Sequence, residues 1–185
     1  MENILEIDKI LFTLINTGCS NSFLDSFLVP FRHKLFWIPL YLFIITFLFV
    51  NFKNKLRFIL LGFLMLLIIS DTVSSRLIKK TIKRTRPCNT EELAVINRVH
   101  CGAGYSFTSS HATNHFALAS YLFLLFGFSK YRFLFYVWAS LIAFAQVYVG
   151  VHYPLDVICG ALIGIIIGYL VYLCYLKITS FKLTV

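Results

Sequence analysis

Five stretches of the chain run with almost no charge: 35–52, 58–78, 112–129, 133–155 and 157–176. A helix needs about 20 mostly apolar residues to cross about 30 Å of hydrocarbon, so each stretch reads as a transmembrane helix. Trp37 and Tyr41 near the start of the first suit an interface, while Asp71 and Arg76 interrupt the second only towards its end. The fourth and fifth are separated by Asp156 alone, which puts His152, Pro154 and Asp156 in a tight turn. Residues 1–34 differ in kind. Ile4, Ile7, Leu11 and Leu14 recur at helical spacing, with Glu6, Asp8 and Lys9 elsewhere on the wheel, and the polar run Cys19-Ser20-Asn21-Ser22 follows Gly18. That pattern predicts an amphipathic helix lying in the membrane interface. The expected fold is an all-α membrane protein of one domain, with an interfacial segment 1–34 and a bundle of about five transmembrane helices over 35–185.

Composition agrees. The 185 residues are 59% hydrophobic and 14% charged, with a mean hydropathy of +0.81, more apolar surface than one small core can hide. A soluble enzyme and a disordered tail are excluded. Glu2, Glu6 and Asp8 stand where a cleavable leader would carry its basic start, and five cysteines without a CxxC pair are no disulfide scaffold. The formal charge is +9. Five crossings place Lys53, Lys55, Arg57, Lys130, Arg132, Lys177 and Lys182 on one side of the membrane and every acid on or near the other. The purely cationic side is assigned to the cytoplasm, and the opposite side to the periplasm or exterior.

That opposite side collects three polar segments. Lys79 and Arg86 are two helical turns apart and can share a helix face until Pro87 stops it; such a pair suits phosphate oxygens. Ser106-Phe107-Thr108-Ser109-Ser110-His111 precedes the third span, where free N–H groups at a helix start would bind an anion and His111 could donate a proton. His152 and Asp156 are four apart, the spacing at which a carboxylate fixes the imidazole tautomer and leaves the other nitrogen as a nucleophile. Taken singly, each segment also fits a plainer role: a stripe bound to anionic headgroups, an N-cap, a His–Asp helix cap.

Jointly the segments read Lys79-x6-Arg86-Pro87, Ser109-Ser110-His111 and Gln146-x5-His152-x3-Asp156. Order and spacing resemble the three-part signature of the type 2 phosphatidic acid phosphatase superfamily. The resemblance implies a metal-independent phosphatase, without cofactor, that works through a phosphohistidine. His152 would be the nucleophile, Asp156 its orienting partner and His111 the general acid, with catalytic loops at 79–111 and 146–156. Lys79, Arg86, Ser109, Ser110 and Gln146 would hold the phosphoryl group. Three positions depart from the family pattern. Thr108 and Ser110 replace Pro and Gly, and Gln146 replaces an Arg, so either catalysis is weaker or Lys83, Arg84 or Arg98 supplies the missing charge.

Three further residue sets have competing readings. Asp71 either pairs with a basic residue of the site or hydrogen-bonds serines on a packed face, the latter being favoured. A zinc site from His111, His115, Cys88 and Cys101 lacks the usual ligand spacing. Cys88 and Cys101 could instead form a disulfide stiffening the 79–110 stretch, which requires an oxidising compartment. The expected partners are the lipid bilayer and a membrane lipid phosphate, with no nucleic acid, in a bacterial inner membrane with the site on its outer face. A prenyl pyrophosphate such as undecaprenyl pyrophosphate, or a phospholipid phosphate, is the first substrate expectation and lipid A the alternative. A lipid phosphotransferase and a lipid-binding protein with a degenerate site are the rival functions.

Overall fold

The computed structural model describes residues 2–91 and 93–181. All regular structure among them is helical: α1 (Glu2–Thr13), α2 (Ser22–Phe31), α3 (Ile38–Asn51), α4 (Leu56–Asp71), α5 (Lys79–Ile82), α6 (Ser110–Leu125), α7 (Leu134–Tyr148) and α8 (Pro154–Phe181). Lys182, counted with the cytoplasmic cations, lies outside the described residues.

The span count differs from the expected five. Among the described residues two helices are long and apolar enough to cross a membrane, over Leu56–Asn89 and Pro154–Ser180. A third crossing arises if α2 and the stretch Leu35–Asn51, bent 78° to each other, act as one. Helices α6 and α7 have 16 and 15 residues, short of the usual ~20. Uncharged loop residues inflate the intervals between charges: α6 stops at Leu125 and α7 at Tyr148, although no charge follows for several residues. The N-terminal region also does more than lead into the bundle, because Leu28 and Phe31 of α2 are buried against α7.

Helices α6 and α8 form the closest pair, because α8 presents Gly160, Gly164 and Gly168 four residues apart along the contact. A Cβ on Gly164 would lie 2.4 Å from the Thr113 carbonyl oxygen, and one on Gly168 equally close to that of Ala117. Small residues at this spacing let helix backbones approach in a membrane. The approach aligns the helix starts, and the Ser109 N–H donates to the Asp156 carbonyl at 3.0 Å. Aromatic and aliphatic packing fills the opposite end, where Leu48, Ile59, Tyr121 and Leu122 are buried between α3, α4, α6 and α8.

Candidate active site

His152 stands in the turn between α7 and α8. The carbonyl of Gln146 accepts the N–H groups of Val151 and His152 at 3.2 and 3.3 Å, and Gly150 turns the chain at φ +91°, where an added Cβ would also meet Val95 at 2.9 Å. Asp156 follows in the first turn of α8, fully buried. Its Oδ2 is 3.5 Å from His152 Nδ1 and accepts the Tyr153 N–H at 2.8 Å and the Ser106 hydroxyl. Ser106 Oγ is itself 3.4 Å from Nδ1. Nδ1 thus faces the carboxylate and the serine, with both approaches at the long end of the hydrogen-bond range.

Lys79 and Arg86 do converge, by a different route from the expected helix face. The α5 helix ends at Ile82, and Lys83 takes a left-handed φ of 52°, so no continuous helix joins the two. Instead the loop 104–106 collects them: Lys79 Nζ donates to the Tyr105 and Ser106 carbonyls at 2.8 and 3.1 Å, and Arg86 Nε to that of Gly104 at 2.7 Å. Ser109 is the N-cap of α6, its hydroxyl buried and directed to its own helix. Ser110 and His111 open the helix, where N–H groups have no carbonyl one turn back. The Ser110 hydroxyl bonds that of Ser75, which donates to Asp71, so Asp71 braces the wall through serines and pairs with no base among the described residues.

Gln146 is buried, and neither atom of its amide has a partner among the described residues. Two of the three cations considered as its substitute are committed elsewhere. Arg84 bonds Asp156 Oδ1 at 2.8 Å and Asp8 Oδ2 at 2.6 Å. Arg98 bonds Asp25, Ser20 and the carbonyls of Asn16 and Tyr148, tying the loop to the N-terminal segment. Lys83 is exposed. Sequence reasoning passed over Asp8, Ser106 and Arg32. Arg32, the C-cap of α2, has a buried Nε without a partner among the described residues, and its charge bears on Arg86 and His111. No local pattern marks it, because a distant turn brings it in.

Residues 59–180 match the PAP2 superfamily. The chain belongs to that superfamily. Two relatives named lipid A 4'-phosphatase, from Bacteroides thetaiotaomicron and Porphyromonas gingivalis, are each 32% identical over 97% of this chain and 82% and 78% of their own length. The crystal structure of Aquifex aeolicus LpxE is similar at 29% identity with a TM-score of 0.65, covering 87% of this chain and 92% of that one. A PAP2-type phosphatidylglycerolphosphate phosphatase from Bacillus subtilis shares the fold at 23% identity and a TM-score of 0.69, covering 96% and 89%. With these relatives and its long apolar helices, the chain is a membrane lipid phosphatase of the superfamily.

Burial and mutual repulsion among cations and imidazoles dominate the electrostatics of this site. The His152 imidazole is pushed down to about 4, by burial first and then by Lys79 and Arg86, with Asp156 opposing them. His111, just ahead of the span beginning at Ala112, is pushed down to about 3 by burial and then by His115, His152, Arg32 and Arg86. Burial thus favours the neutral form of both rings. Cys88 and Cys101 are disulfide-bonded and so offer no thiolate to the weighed zinc set. Among the described residues no three His, Cys, Asp or Glu converge on a metal site.

Proposed function

We propose that the chain hydrolyses a phosphate monoester of a lipid A-type glycolipid, the 4'-phosphate by analogy with its relatives, through a covalent phosphohistidine and without a metal. The observation that carries the reading is the convergence of Lys79, Arg86, His111 and the neutral His152 at one polar spot. The relatives favour lipid A over the prenyl pyrophosphate first expected. An apolar groove of about 440 Å³ between α3 and α7, lined by Phe31, Trp37, Leu40, Trp138 and Leu141 and reaching Arg132, suits an acyl chain of the substrate.

In this reading His152 Nε2 attacks phosphorus in line while Asp156 stabilises the charge that develops at Nδ1. The N–P bond forms as the P–O bond to the sugar oxygen breaks, and His111 gives that oxygen its proton. Phosphate entering among Lys79, Arg86 and Arg32 offsets the repulsion that keeps His111 neutral, so the imidazole takes up the proton it will donate. Water, deprotonated by His111, then attacks phosphorus and frees inorganic phosphate and His152. Fixed cations and the N–H groups of Ser110 and His111 match charge spread over the equatorial oxygens. Arg32 takes the place of the charge missing at Gln146. The active face is periplasmic, which the Cys88–Cys101 disulfide supports because such bonds persist in oxidising compartments.

The test is phosphate release by purified protein in nanodiscs from lipid A, undecaprenyl pyrophosphate and phosphatidylglycerol phosphate, with chelator present. Mass spectrometry should show loss of the 4'-phosphate and a phosphohistidine lost in His152→Ala. Preference for the pyrophosphate would overturn the substrate, chelator-abolished turnover the metal-free step, and phosphate passed to an added lipid acceptor would make the chain a phosphotransferase.

A further inference from the structure

The amphipathic helix α1 carries a carboxylate where its pattern predicts only a polar face. Ile4, Ile7 and Leu11 are 58%, 56% and 44% exposed, as residues facing lipid should be, whereas Asp8 is 1% exposed. A carboxylate so buried requires partners, since an unpaired charge there would neutralise or unfold its surroundings. Asp8 has two. Its Oδ1 accepts the N–H of Leu155, one residue before Asp156, at 2.8 Å. Its Oδ2 accepts from one amino group of Arg84 at 2.6 Å, and the other amino group donates to Asp156 Oδ1 at 2.8 Å. The guanidinium lies over the Tyr153 ring, 3.9 Å from its centre, fixing its plane. One Arg fork therefore bridges two carboxylates, leaving Asp156 Oδ2 for Ser106, the Tyr153 N–H and His152.

We propose that Asp8 is a positioning residue for the reaction, sharing the charge of Arg84 so that Asp156 keeps its own for His152, and pinning the helix turn that carries Asp156. The inference rests on the reading of His152 as nucleophile. With Asp8 neutral, Arg84 has Asp156 as its sole counter-ion, its pull on that carboxylate grows, and the imidazole becomes a poorer nucleophile that is also harder to protonate. A helix lying on the bilayer thus completes the hydrogen-bonded support of the catalytic pair.

The full-length protein in nanodiscs, assayed by phosphate release from lipid A and from p-nitrophenyl phosphate, tests this. Asp8→Asn keeps an acceptor for Leu155 and removes the charge. It should lower kcat about 10- to 100-fold, the weight of a charge-assisted hydrogen bond, and leave KM within about twofold. The acid limb of the kcat profile should move to lower pH. Asp156, Lys79, Arg86, Ser106 and His111 all bear on His152 and are unchanged in the variant, so the difference between profiles reports Asp8. Asp8→Glu should recover much of the rate. Arg84→Gln added to Asp8→Asn removes the unshared pull on Asp156 and should return the acid limb towards its wild-type position. Wild-type kcat in Asp8→Asn beside an inactive His152→Ala overturns the inference alone. So does a loss of kcat that follows Tm with no shift of the acid limb, since that marks Asp8 as a mere anchor for α1. Activity in His152→Ala overturns the parent reading and this one with it.

Discussion

The two ends of the bundle use the same residue types for opposite purposes. At the end assigned to the cytoplasm, cations lie over aromatic rings near the surface: Arg57 is 4.8 Å from the Phe58 ring centre, Lys130 5.1 Å from Tyr131 and Arg132 4.4 Å from Phe123. None of the three pairs with a carboxylate among the described residues. At the other end Arg84 and Arg98 also cover rings, Tyr153 and Tyr148, but each is further held by acids and by hydrogen bonds from distant segments. An exposed cation over a ring contributes about 0.5–1 kcal/mol and can be lost without leaving a buried group unpaired. A cation bridging buried acids cannot. Net charge therefore says little about function until each cation's partners are known.

The widest gap between the ends should appear in turnover. His152→Ala should lose at least about 10³-fold in kcat for lipid phosphate, as expected when a nucleophile is removed from a unit that acts together. Arg57→Gln and Arg132→Gln, separately, should stay within about threefold. Phosphate release from purified variants measures both, and an equal loss at the two ends would abolish the distinction.

Stability should separate the ends next. Arg98 ties Asp25, Ser20, Asn16 and Tyr148 to the 90–101 loop, so Arg98→Met should cost about 1–3 kcal/mol, chiefly by leaving the Asn16 carbonyl without this donor and the Tyr148 carbonyl with one donor fewer. Arg132→Met should cost no more than about 1 kcal/mol. Denaturant unfolding in detergent gives the two values, and a similar cost for both would show that the loop is held by its disulfide and apolar contacts instead.

The unequal legibility of the ends has the same cause. His152 and Asp156, or Ser109 to His111, lie within one helical turn of each other, so local spacing reveals their relation. Lys79 and Arg86 are brought together as expected, but by carbonyls of the 104–106 loop, because the backbone leaves the helix at Lys83. Asp8 meets Arg84 across 76 residues, and nothing local sets it apart from Glu6. Arg32 likewise reaches the site only through the docking of α2. The count of five spans is not confirmed, because counting charges cannot see a helix end in an apolar loop, and the stripe of Gly160, Gly164 and Gly168 becomes legible only once α6 is known to face it. Cys88 and Cys101 form the disulfide that their common place in the 79–110 stretch suggests.

Protonation should sharpen the contrast further. An exposed imidazole has a pKa near 6.5, and His152 is held at about 4, so the unfolded chain binds the proton more readily. Stability that is complete above about pH 6.5 should then drain away as pH falls towards 4. Thermal unfolding between those values should show Tm falling, less steeply in His152→Gln. An unchanged slope would assign the loss to other groups.

The smallest effect should come from the residue that departs most from the family pattern. Gln146 lies at the site end, but its amide atoms have no partner among the described residues, and its carbonyl is what holds the His152 turn. Gln146→Ala keeps that carbonyl, so kcat should fall by less than about tenfold, far less than in His152→Ala. Arg32→Gln removes a charge that bears on Arg86 and His111, and a charged donor is worth about twice a neutral one to a phosphate oxygen. It should therefore cost more than Gln146→Ala and chiefly raise KM. Should Gln146→Ala instead match His152→Ala, the amide holds the phosphate directly, and the charge missing from its position has no substitute in Arg32.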